Sequence, residues 1–199
     1  MLAGGAGSAH DAAMTALLAA FTHGTSIPDG QVAARANTLR AGVLGANDGI
    51  VSVAAIVVGV AGATVAHGPV LVAGLAALIG GMVSMALGEY VSVSSQRDSE
   101  RAATGTGAAS PWAAAAASAA AFLSGGLLPL LAVLLSPAPT RVLVTVLVAL
   151  LALGLTGAAG ARLGGARALR PTLRTVIGGA LALGATFTIG ALLGTTGIA

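Results

Sequence analysis

The chain has 199 residues, 56% of them hydrophobic and 8% charged, with a net charge of +3 and a mean hydropathy of +0.97. A soluble domain of this size needs more charge than that to cover its surface, so lipid is the expected solvent for most of it. No cysteine is present, which excludes disulfides and thiolate metal sites, and all nine basic residues are arginines at the ends of apolar runs, a pattern of membrane topology rather than nucleic-acid binding.

Residues 1–34 read as an N-terminal tail. A short amphipathic helix around Ala9–Phe21 could lie on a membrane surface, and a floppy tail fits the same residues. The apolar run from Met14 to Phe21 is short and no positive charge precedes it, so a signal peptide is not expected. His10 and His23 are expected to be solvated rather than to bind a metal.

Five apolar runs follow, at about 41–63, 70–94, 112–135, 142–161 and 175–197. Each is near the ~20 residues that an α-helix needs to cross a bilayer. Pro69, Pro111, Pro137, Pro139 and Pro171 fall at or between run ends, where helices start and stop, whereas Pro129 lies inside the third run and predicts a kink. Arg35 and Arg40 precede the first run, Arg97 and Arg101 follow the second, and Arg162, Arg167, Arg170 and Arg174 lie between the fourth and fifth. Only Arg141 falls on the opposite side. The arginine-rich side faces the cytoplasm, which gives an all-α protein with five transmembrane helices and a cytoplasmic N-terminus.

The first two runs carry the polar residues of interest. Asp48 lies eight residues after Arg40, and Glu89 lies eight residues before Arg97. At ~1.5 Å per residue each acid is then about 12 Å inward from its arginine, which predicts two carboxylates at matched depth on antiparallel helices. An acid inside a membrane is costly and marks an ion or proton path, and neither run supplies a lysine or arginine to neutralise it. Met82, Met85, Glu89, Ser92 and Gln96 are spaced by three or four residues and share one helix face. Asp48 and Ser52 share a face of the first helix, with Asn47 beside them. Gly45 and Gly49 form a small-residue seam for close helix contact, and Gly88 is expected to act similarly next to Glu89.

Carboxylates bind divalent cations with little discrimination, whereas thioethers are soft ligands with little affinity for Mg²⁺ or Ca²⁺. The combination favours a transition metal such as Fe²⁺. Desolvation favours the protonated form of a carboxylate, which provides a physical basis for exchanging metal against protons. Methionines also fill space in ordinary cores, and a buried acid can be purely structural. Tyr90 and Trp112 read as interface anchors. No phosphate-binding glycine loop, nucleophile–base pair or histidine cluster is present, so an enzyme is not expected.

The segments 39–52, LRAGVLGANDGIVS, and 80–98, GGMVSMALGEYVSVSSQRD, closely resemble the vacuolar iron transporter family. Weaker echoes run through Ser118–Leu131 and Gly178–Gly194, so the likeness covers residues from about 35 to the end. The resemblance implies five transmembrane helices, a homodimer with its metal path at the dimer interface, and proton-driven export of cytosolic Fe²⁺ or Mn²⁺. On that pattern Asp48 matches the first-helix aspartate, and Met85 and Glu89 match the second-helix SMxxGE motif. Asn47, Ser52, Met82, Ser92 and Gln96 are candidate supporting residues. Many family members insert an acidic helical metal-binding domain between helices two and three, whereas here that connection is only about Gln96–Ser110, with Asp98 and Glu100 as its acids.

The expected partners are the lipid bilayer, divalent transition-metal ions, protons and a second copy of the chain, with no nucleic acid and no permanently bound cofactor. A non-transporting membrane scaffold and a proton-coupled carrier of an organic solute remain alternatives. The arginine-only basic complement and the richness in alanine and glycine favour a bacterial plasma membrane, and a vacuolar or other endomembrane if the source is eukaryotic.

Overall fold

The computed structural model describes residues 29–196, which form five helices and, among the described residues, no strand. They are α1 (Asp29–Ala63), α2 (His67–Thr104), α3 (Pro111–Leu135), α4 (Arg141–Leu163) and α5 (Leu169–Thr196). All five are long and apolar enough to cross a membrane. Each contains one of the runs expected from sequence, except that α5 ends at Thr196. Helix α1 starts at Asp29, so residues 29–34 of the expected tail are helical, and the amphipathic stretch Ala9–Phe21 lies outside the described residues.

Local chemistry sets the helix ends. Ser110 caps α3, its hydroxyl accepting from the Ala113 N–H, and Pro111 follows at the first helical position, where a missing N–H costs nothing. Helix α2 ends on Gly105, whose φ of 75° few side chains tolerate and whose N–H returns to the Arg101 carbonyl. Helix α3 continues through Pro129, which is buried. At 38 residues α2 is about 57 Å long, nearly twice the ~30 Å hydrocarbon core, so one end projects into water.

Helix α1 is the hub and touches all four others. One face, through Ile50, Ala54 and Val58, packs with Ala149, Leu153 and Leu183 of α4 and α5. The next face, through Val53 and Val57, packs with Val70 and Leu78 of α2 and Phe122, Leu130 and Val133 of α3. Lipid tails are as apolar as leucine, so these contacts gain little from leaving lipid, and close packing must hold the helices together. Glycine provides it. A Cβ at Gly45 or Gly49 would run into the α3 backbone at Ser118 or Phe122, and one at Gly190 or Gly194 into the α1 backbone at Gly59 or Ala63.

Arg141, the one arginine on the far side, is 1% exposed and donates from Nη2 to the Val65 carbonyl in the α1–α2 turn. Cations are favoured where a helix presents unpaired carbonyls, here just past the C-terminal end of α1. Its exception to the arginine pattern therefore has a structural cause.

Candidate functional site

Glu89 lies on the inward face of α2 with Val70, Gly74, Leu78 and Val93 and is 5% exposed. It is not without a cation. Arg40 of α1 donates from Nη2 to Glu89 Oε2 at 3.1 Å, the sole ion pair among the described residues. Arginine has a long side chain, so one placed just outside an apolar run still reaches a carboxylate on the neighbouring helix. The expectation that nothing neutralises this acid is thereby corrected.

The expected matched depth is also corrected. Added Cβ atoms at Gly49 and Gly81 would both meet Phe122, the first its backbone and the second its ring, so those glycines lie within the reach of one phenylalanine across the α1–α2 pair. Val57 against Gly74, and the 2.8 Å hydrogen bond from Asn37 Nδ2 to Gln96 Oε1, give nearly the same register. Asp48 is next to Gly49 and Glu89 is eight residues beyond Gly81, so the two acids are offset by about 10 Å along the helices. Arg40 and Arg97 do not mark one plane, because α2 runs about two turns past the level of Arg40 before reaching Arg97. The Tyr90 ring lies against Trp112, centroids 4.8 Å apart and tilted by 55°, and Trp112 is 74% exposed. Such a pair belongs at the membrane–water boundary, so Glu89 sits near one rim of the membrane and Asp48 lies deeper.

Asp48 is half-buried, and Ser52 one turn on donates from Oγ to its Oδ1 at 2.8 Å. Met82 is level with Asp48, and Met85 is about one turn nearer to Glu89. Both methionines are half-buried and pack against the cluster around Phe122. The stripe therefore holds as a face for Met82, Met85 and Glu89. It does not hold for Ser92, which is exposed, or for Gln96, which bonds Asn37 and Glu100. Asn47 turns away from the carboxylates, its Oδ1 accepting from the Thr156 hydroxyl on α4. Gly45 and Gly49 pack as expected, with α3 as their partner, whereas a Cβ at Gly88 would meet nothing within 4 Å. Gly88 is therefore not a packing residue within one protomer.

Sequence reasoning missed Arg40, Asn37 and Glu100, which join Gln96 and Glu89 in one chain of hydrogen bonds. Among the described residues no three His, Cys, Asp or Glu side chains converge as a metal site. One protomer thus offers a staggered series of donors, carboxylate, thioether, thioether and carboxylate, rather than a cage.

The sequence model of the VIT family matches residues 39–109 and 102–191, which include both acids, both methionines and all of α3 and α4. The chain is 44% identical over 178 residues to "Vacuolar iron transporter homolog 5" of Oryza sativa subsp. japonica, covering 84% of this chain and 86% of that protein. It is 43% identical over 177 residues to homolog 2 of the same plant, covering 81% and 94%. To "Vacuolar iron transporter homolog 2" of Arabidopsis thaliana it is 40% identical over 173 residues, covering 82% and 88%. The chain belongs to the VIT family. As a member it is an integral membrane protein whose second and third helices are joined by the short segment 105–110 after α2, with no inserted domain between them.

Proposed function

We propose that this VIT-family protein moves Fe²⁺ or Mn²⁺ out of the cytoplasm as a homodimer, in exchange for protons. Family membership and relatives named as iron transporters support metal-ion transport across a membrane. The observation that carries the finer reading is the donor series from Glu89 at the cytosolic rim, past Met85 and Met82, to Asp48 about 10 Å deeper. Staggered donors suit an ion that moves from site to site, and soft sulfur among them favours a transition metal over Mg²⁺.

The dimer is supported by what one protomer leaves bare. Leu44 and Ile56 are exposed on the face of α1 that carries Asp48 and Ser52. A carboxylate on a lipid-facing surface is costly, and a second copy would cover it. Helix α2 likewise exposes Ala76, Gly80, Ser84, Gly88 and Ser92 at four-residue spacing, and added Cβ atoms at Gly80 and Gly88 would meet nothing within 4 Å. Two-fold symmetry would double the donors along the path, four carboxylates and four thioethers in place of a pair of each. Metal ligands must shed protons and regain them on release, which is the basis for the proton exchange.

The test is metal flux into proteoliposomes by wild type and Asp48→Ala; equal rates would remove the proposal. The Arg40–Glu89 pair favours a second reading, a non-transporting membrane scaffold in which Glu89 is structural. On that reading the wild type has no saturable Fe²⁺ or Mn²⁺ binding and Glu89→Gln changes only stability. Composition favours a bacterial plasma membrane, whereas the plant relatives' names fit an endomembrane and lend the bacterial location no support.

A further inference from the structure

The acid at the cytosolic rim already holds a cation that belongs to the protein. The two partners are unequal, the Glu89 side chain being 6% exposed and that of Arg40 53%. A buried carboxylate stripped of its counter-charge is strongly unfavourable, so Glu89 exchanges Arg40 for a metal ion or a proton rather than standing as a bare anion. Arg40 can leave more easily, because about half of its side chain is left uncovered by the protomer. It also has places to go. Its Nε donates to Asn37 Oδ1 at 3.2 Å, so the side chain has a second anchor on its own helix. It also lines a cavity of about 460 Å³ between α1 and α4, together with Asn47, Val43 and Gly160.

We propose that Arg40 is a tethered competitor for the cytosolic ligand site, holding Glu89 until a divalent cation displaces it. This rests on the transport reading given above and adds a specificity-determining residue to it. A hydrogen-bonded guanidinium is a strong partner for a carboxylate. A hydrated monovalent ion offers the same charge without that geometry and does not displace it. A divalent ion carries twice the charge, which doubles its attraction to the carboxylate, and it displaces the guanidinium where the neighbouring donors replace the water it sheds. The latch thus keeps K⁺ and Na⁺ off the path and sets the concentration at which a divalent metal enters. The hydrogen bonds from Asn37 Nδ2 to Gln96 Oε1 at 2.8 Å, and from Gln96 Nε2 to Glu100 Oε1 at 2.9 Å, tie the latch to the projecting end of α2.

The experiment measures equilibrium Mn²⁺ binding to the purified full chain in nanodiscs, for wild type, Arg40→Gln, Arg40→Lys, Glu89→Gln and the Arg40→Gln/Glu89→Gln pair. Arg40→Gln is expected to bind Mn²⁺ about tenfold more tightly, the effect of removing one charged competitor from a buried acid. Arg40→Lys, which keeps the charge but loses the second anchor to Asn37, should fall between wild type and Arg40→Gln, and the double variant should match Glu89→Gln. In wild type, saturating Mn²⁺ should increase phenylglyoxal labelling of Arg40 severalfold while Arg35 and Arg162 stay unchanged; this readout decides alone if Arg40→Gln does not fold. Unchanged or weaker binding by folded Arg40→Gln, or Arg40 labelling indifferent to Mn²⁺, would overturn the latch while the transport reading stands, provided the wild type binds saturably. A wild type without saturable binding would overturn both.

Discussion

Replacing Gly49 with alanine adds one methyl group at the point where α1 crosses α3. That methyl would meet the carbonyl oxygen, carbonyl carbon and Cα of Phe122, all backbone atoms of α3. A flexible side chain could swing aside, but a helix backbone can only move as a unit. The relevant cost is overpacking, about 1–3 kcal/mol. Backbone contact puts Gly49→Ala at the upper end of that range. Against it stands the gain in helix propensity of alanine over glycine, about 1 kcal/mol. The net expectation is a loss of about 2 kcal/mol, or roughly 4–8 °C in melting temperature for a chain of this size. Gly88→Ala is the internal control, since its Cβ would meet nothing within the protomer. It should leave the protomer's stability unchanged or raise it by up to about 1 kcal/mol. The assay is thermal unfolding in detergent, followed by the aggregation-free fraction on size-exclusion chromatography. A Gly49→Ala protein as stable as wild type, or one indistinguishable from Gly88→Ala, would refute the claim that backbone-to-backbone contact joins α1 to α3.

Two further outcomes follow from the positions of single side chains. Trp112 is the only tryptophan, so its fluorescence in lipid should be quenched more by bromines near the headgroups than by bromines near the bilayer centre. The reverse order would move Glu89, one residue from the Tyr90 that packs against Trp112, away from the membrane rim. Asn47→Ala should lower stability by about 1 kcal/mol through loss of the Thr156 hydrogen bond while metal flux stays within about twofold of wild type. A collapse of flux with stability intact would place Asn47 on the ion path instead.

Much of the register between α1 and α2 was readable in the chain. A turn centred on Val65 pairs residues whose numbers sum to about 130, which sets Arg40 opposite Tyr90 and Asp48 opposite Met82. Counting inward from the nearest arginine gave a different answer, because arginines mark the water boundary only loosely when helices project unequally beyond it. Arg40 marks topology by its place in the sequence, yet its long side chain also reaches an inward acid. Asn47 and Asp48 are adjacent in the chain, yet neighbouring helical residues point about 100° apart, and here one faces α4 while the other faces an uncovered surface.

The sequence by itself determined the solvent and the number of spans, because hydropathy is a local property that each segment carries alone. It also named the residue types able to hold a soft divalent ion. Only the tertiary structure decided that Glu89 is paired, that the two acids are staggered, and that Gly45 and Gly49 are sealed against α3 while Gly88 is open. These depend on how each helix is rotated and slid against its neighbours. That choice is made by packing between residues far apart in the chain, such as the 49 positions between Arg40 and Glu89.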